Sequence, residues 1–102
     1  MLYLFLTYAL LFNIHASPAF MGYVSNSKGE PIVGATVEIT GPNYQEQAPT
    51  DVDGYGLVYL NEAITGDICM ILVSAKGYVS LRDTIVFSRD TLIEYTLKRA
   101  GE

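Results

Sequence analysis

The chain has 102 residues, half of them hydrophobic, and its eleven acidic against six basic side chains give a net charge of −5. That length fits one domain, and so apolar a composition without low-complexity tracts excludes a disordered chain. The acidic balance, with its few basic residues dispersed, argues against nucleic acid or an anionic membrane surface as partner.

Residues 1–16, MLYLFLTYALLFNIHA, carry no charge and are almost wholly apolar as far as Phe12. The run is shorter than the roughly 20 apolar residues a spanning helix needs, and small residues follow it at Ala16, Ser17 and Ala19. This predicts a secretory signal peptide over 1–19, cleaved after Ala19, with Ala16 as the other cleavage point. The segment before the apolar run has no Lys or Arg, and initiation at Met21 is the competing reading. With no Cys beside the cleavage site, a lipid anchor is not expected. Every charged side chain lies beyond residue 19, so the mature domain keeps the whole acidic excess.

From residue 20 onward the hydrophobic period is two, and no stretch reads as helix. Phe20, Gly22 and Val24 alternate with Met21, Tyr23 and Ser25 as a first strand. NSKGE follows as a turn, and Ala35, Val37 and Ile39 alternate with polar partners as a second strand with one wet face. GPNYQEQAPT, 41–50, reads as a loop because it holds two prolines, a glycine and polar residues. TDVDG is a turn, YGLVYL a strand and NEAITG a turn. ICMILVSA is apolar almost throughout and reads as a central strand covered on both faces. KGY turns the chain, DTIVF and TLIEYTL are short strands joined by SRD, and the chain closes in a polar tail at 99–102. Six or seven short strands with closely spaced turn signals predict an antiparallel sandwich over 20–98.

Four short motifs then carry a resemblance: GYV at 22–24, GEPIVGATV at 29–37, TDVDG at 50–54 and VSAKGY at 73–78. In this order they resemble the carboxypeptidase regulatory-like domain, and together they reach across nearly all of the chain after the leader. That family implies a transthyretin-like, Greek-key β-sandwich of seven strands. It also implies a non-catalytic accessory role beside catalytic or transport domains, including the front of TonB-dependent outer-membrane receptors. The structural motif residues are Gly29, Pro31, Gly34, Asp51, Gly54, Gly77 and Tyr78. Gly29 and Pro31 make a tight corner, Ile32 plugs the end of the core, and Gly34 returns the chain to a strand. One departure stands out. Where the family places an inward aromatic, two residues after Gly54, this chain has Gly56 with Tyr55 beside it. Either Tyr55 fills the core through a bulge or the core is thin there.

The side-chain inventory speaks against catalysis. The single histidine, His15, lies in the leader, so no Ser/His/Asp or Cys/His set and no histidine ligands for zinc are available. No cofactor is expected. Asp51-x-Asp53-Gly54 resembles the start of a calcium loop without its downstream ligands, and Asp51 is expected to cap the turn's own amides instead. Cys69, the lone cysteine, reads as a small buried apolar residue. Of the eight tyrosines, Tyr44, Tyr55 and Tyr59 form a candidate stacking platform for sugar rings or peptide side chains, against the plainer reading that they pack at the sandwich margin. The expected function is an exported, non-catalytic contact or support module in the periplasm, at the outer membrane or outside the cell. Its partner would be a protein or a covalently linked domain. The alternative is a carbohydrate- or small-ligand-binding sandwich.

Overall fold

The structure is a computed structural model describing residues 18–89 and 91–101. Residues 1–17, which hold most of the expected leader, lie outside the described part. Seven strands run in chain order: β1 (Ala19–Asn26), β2 (Thr36–Thr40), β3 (Gln45–Pro49), β4 (Tyr55–Tyr59), β5 (Ile68–Ser74), β6 (Leu81–Val86) and β7 (Thr91–Leu97). They form a three-stranded sheet, β4-β1-β7, facing a four-stranded sheet, β3-β2-β5-β6. The chain crosses between sheets after β1, β3, β4 and β6, which is the Greek-key sandwich expected from the sequence. No helix occurs among the described residues.

The alternation along each strand sets the core. Phe20, Val24, Val37, Ile39, Val58, Ile71, Val73 and Leu97 are all at most 2% exposed and fill the space between the sheets. Each such side chain contributes about 1.5–3 kcal/mol relative to exposure. Phe87, just past the end of β6, and Leu60, just past β4, close one end of this core.

At four points the structure differs from the expectation. First, 41–50 is not all loop. Gln45–Pro49 pairs with β2 as an antiparallel edge strand, and the Gln45 side-chain amide donates to Glu38 Oε1 at 2.8 Å. Its tight hairpin works because Gly41 has no side chain: a Cβ there would fall on the Tyr44 ring. Second, β5 is central but covered on one face only. Cys69, Ile71 and Val73 are buried, whereas Ile68 and Met70 face outward at 65% and 55% exposure. Third, one pair of strands is parallel, β1 with β7, from Phe20–Thr91 to Asn26–Leu97. Fourth, the tail from Arg99 does not hang free. Val79 N–H donates to the Lys98 carbonyl at 2.8 Å and Ala100 N–H to the Gly77 carbonyl at 2.9 Å, so 98–100 extends β7 against 77–79.

The question raised by Gly56 is resolved in favour of a thin core. The β1–β4 register runs without a bulge, Gly22 opposite Gly56, and Val37 of the facing sheet packs into both. A Cβ on Gly56 would lie 3.2 Å from Val37 Cγ2, so the sheets approach here to a distance that excludes an inward aromatic. Tyr55 points outward. At the other end of the strand, Ala19 sits in β1 opposite Tyr59, and the Pro18 carbonyl accepts from Leu60 N–H at 2.9 Å. Strand β1 therefore includes the residue before the expected 19/20 boundary.

Candidate contact surface

The motif residues gather at one end of the sandwich and build a corner. Gly29, Gly34, Gly54 and Gly77 all have φ between 77° and 86°. Ile32 is 8% exposed and packs on the core while its neighbour Val33 is exposed, so the corner buries one apolar side chain and presents the next. Pro31 forms a bridge to Ser25, and Ile32 N–H donates to the Val24 carbonyl at 3.0 Å. Asp51 Oδ1 accepts from Asp53 N–H at 2.9 Å and Tyr55 N–H at 3.0 Å, consuming the carboxylate in its own turn. Tyr78 packs against the core margin, and the Arg99 guanidinium lies 5.7 Å from its ring centroid.

Sequence reasoning missed Thr50, which is 4% exposed and ties this corner together. Its Oγ1 donates to the Ile32 carbonyl at 2.6 Å and accepts from Ala35 N–H at 2.9 Å. Its backbone N–H donates to the Ala35 carbonyl at 2.8 Å, and its carbonyl accepts from Gly34 N–H at 2.9 Å. The signal for it was the threonine opening TDVDG, but its partners lie far back in the chain.

The tyrosine platform does not form as expected, because its members part company. Tyr44 sits in the hairpin of the four-stranded sheet. Its hydroxyl donates to Asp67 Oδ2 at 2.8 Å and lies 3.4 Å from the buried Cys69 Sγ. The same Asp67 oxygen accepts from Ile64 N–H at 3.0 Å, so the carboxylate pins two loops together. Burial first, then the bonds to Cys69 and Asp67, hold the Tyr44 hydroxyl well above the usual tyrosine range. Tyr95 behaves alike: burial, then its 3.0 Å bond to Asp83 Oδ2, raises it. An unfolded tyrosine ionises near pH ~10, before the folded ones do, so ionisation favours the unfolded chain. Stability is therefore expected to hold below about pH 10 and to fall as pH rises through that value and beyond. Urea unfolding at mildly and strongly alkaline pH checks this, and the fall should shrink in Tyr44→Phe and Tyr95→Phe.

Tyr55 and Tyr59 remain together on the outer face of the three-stranded sheet, joined there by a residue the sequence reading left out. Tyr23 lies opposite Tyr55 with ring centroids 5.2 Å apart and planes tilted by 56°. The register places Leu57, Met21 and Leu92 in the next row across all three strands. Tyr23, Tyr59 and Leu92 are 41%, 57% and 53% exposed, and the face carries no covering element among the described residues. Beside it, under the 29–31 corner, Tyr23, Asp53, Glu94 and Thr96 line a shallow cleft of about 380 Å³. Among the described residues no group of three or more His, Cys, Asp or Glu side chains is placed to hold a metal ion.

No protein-family model matches the chain, and no curated protein matches it. Solved structures do match. The chain is similar to 3-chlorocatechol 1,2-dioxygenase from Rhodococcus opacus 1CP, with a TM-score of 0.67 and 12% identity over 83% of this chain and 60% of that one. It is similar to a chain of a type II cohesin–X-dockerin complex from Acetivibrio cellulolyticus, with a TM-score of 0.55 and 19% identity over 78% of this chain and 52% of that one. The Bacillus anthracis TIE protein matches with a TM-score of 0.57 and 16% identity over 82% of this chain and 17% of its own. The chain thus spans about 60% or less of each of these relatives. At such identities the likeness establishes a β-sandwich and nothing finer.

Proposed function

We propose that this chain is a non-catalytic accessory sandwich whose work is protein contact. The observation that carries the reading is the uncovered face of Tyr23, Tyr55, Tyr59, Met21, Leu57 and Leu92. A rigid sheet presenting contiguous aromatic and aliphatic side chains to solvent, with Glu94 beside Tyr23 as a charge at its margin, has the Tyr- and Met-rich composition of an interface core. The motif order of the carboxypeptidase regulatory-like domain supports an accessory role, and a seven-stranded sandwich is what that resemblance implies. The module is exported and acts in the cell envelope, at the front of a TonB-dependent outer-membrane receptor or beside another domain. Support for the Ala16 cleavage point is that it leaves β1 whole, whereas cleavage after Ala19 removes a residue paired with Tyr59.

A photo-crosslinking residue placed at position 59 in the living source cell tests the assignment. Discrete protein adducts are expected there, and none from the same residue at position 70 on the outer face of the other sheet. The second reading, a carbohydrate or other small polar ligand, draws on the cleft where Tyr23 meets Asp53, Glu94 and Thr96. Glycan binding on an array, lost in Tyr23→Ala, together with no protein adduct at position 59, would replace the first reading by the second.

A further inference from the structure

Every strand edge in a sandwich is a template for another strand unless the sequence blunts it. Among the described residues four edges are open, and three are blunted. Strand β3 is short, turns the charged Glu46 toward the inner side and ends in Pro49. Strand β4 is equally short and contains Gly56. Strand β6 carries Asp83 on its inner face. Strand β7, Thr91–Leu97, has no proline, no glycine and no inward charge, and along that length it pairs with β1 alone among the described residues.

Three strands face four, and β6, whose Asp83 Oδ2 accepts from the Tyr95 hydroxyl of β7 at 3.0 Å, is incompletely covered. Its inward residues Leu81, Asp83 and Ile85 stay half-buried, whereas the inward residues of neighbouring β5 are at most 1% exposed. The continuation of β7 already has an antiparallel partner on this edge, because 77–79 bond to 98–100 before the chain leaves for β6. Backbone groups alternate in direction along a strand. Since the Lys98 carbonyl meets Val79 N–H, the N–H and C=O groups of Leu92, Glu94 and Thr96 point to the same open side. A cavity of about 250 Å³ lined by Val79, Leu81 and Thr96 opens where the 77–79 partner stops.

We propose that β7 is a strand-addition site that takes an extended segment of a partner protein, prolonging the line of 77–79 along Thr91–Thr96. The inference rests on the protein-contact reading but uses the sheet's edge instead of its tyrosine face. A second copy of this chain is disfavoured, because pairing through β7 would bring Glu94 and the acidic excess of one chain against those of the other. The segment is extended over about six residues, with main-chain bonds giving affinity and alternate side chains giving choice. Its inward residues are apolar, to cover Leu81 and Ile85. Its outward residue beside Glu94 is Lys or Arg, since opposite charges pair favourably across strands and the domain is acidic.

The test uses phage-displayed eight-residue peptides selected on the intact protein, with the best binder followed by amide exchange. Selected sequences should alternate apolar and polar residues with one basic position. The Leu92, Glu94 and Thr96 amides should slow, while those of Ile93 and Tyr95, already turned toward β1, should not. Glu94→Pro should weaken binding about tenfold or more because it removes an edge donor. Glu94→Lys, at an exposed site that leaves the fold intact, should weaken it about fivefold by setting like charges together. Tyr23→Ser should leave the peptide affinity unchanged. Protection confined to β3, β4 or β6, or shifts confined to the tyrosine face, or no enriched peptide, would overturn the proposal. The tyrosine-face crosslinks would stand in each case, so this failure is separate from that of the contact reading.

Discussion

Thr50→Val is expected to destabilise the domain by roughly 2–4 kcal/mol, although the two side chains have nearly the same shape. The hydroxyl serves two buried backbone groups, the Ile32 carbonyl and the Ala35 N–H. Valine satisfies neither, and each buried polar group left without a partner costs about 1–3 kcal/mol. For a domain of this size the loss corresponds to a drop in Tm of roughly 10–25 °C. Thr50→Ser keeps the oxygen and gives up only a methyl group, so it should recover most of the difference. Thermal unfolding of the three proteins side by side decides the matter. A valine variant within about 0.5 kcal/mol of the parent, the range of an ordinary surface change, would remove Thr50 from its place as the tie of the corner.

Gly54→Ala should be comparably severe, and its severity should exceed that of Gly29→Ala although both glycines have φ near +80°. The left-handed conformation alone costs a non-glycine residue about 1–2 kcal/mol. At Gly29 nothing lies within 4 Å of the added methyl, so that is the whole penalty. At Gly54 the methyl would overlap the Val24 carbonyl oxygen and press on Pro31. That carbonyl accepts from Ile32 N–H, and Val24 N–H in turn donates to the Gly54 carbonyl. Separating the overlapping atoms therefore breaks the seam between β1, the 29–34 corner and the 51–54 turn, for a total of about 3 kcal/mol or more. Denaturant unfolding of the two alanine variants should place Gly54→Ala at least about 1.5 kcal/mol below Gly29→Ala, roughly one lost buried hydrogen bond. Equal losses would mean that dihedral strain is all that matters at both sites.

These two positions also mark where the sequence could be read and where it could not. The glycines and Pro31 act through their own dihedrals, so a corner was visible in GEPIVGATV without any knowledge of what it touched. Period-two alternation in β1 and β2 gave the inward residues correctly for the same local reason. Thr50 acts through partners distant in the chain, which no local pattern reveals. Strand β3 reads as loop because 41–50 holds two prolines, a glycine and polar residues, and it is held as a strand by pairing with β2. The apolar run of β5 could not tell covered from uncovered: Ile68 and Met70 look like core residues and lie on an open face. On the tyrosine face, Tyr55 and Tyr59 share a side by simple parity, but Tyr23 joins them only through the β1–β4 register. Tyr44 leaves them only because β2 and β3 belong to the other sheet.

The parallel union of the first and last strands has a mechanical side. The amino end of β1 lies at one end of the sandwich and the carboxyl end of β7 at the opposite end. A pull on both slides β1 against β7 along their length, loading every rung from Phe20–Thr91 to Asn26–Leu97 together instead of peeling them off in turn. Strung between an anchored neighbour and a moving one, such a domain transmits tension as a stiff link.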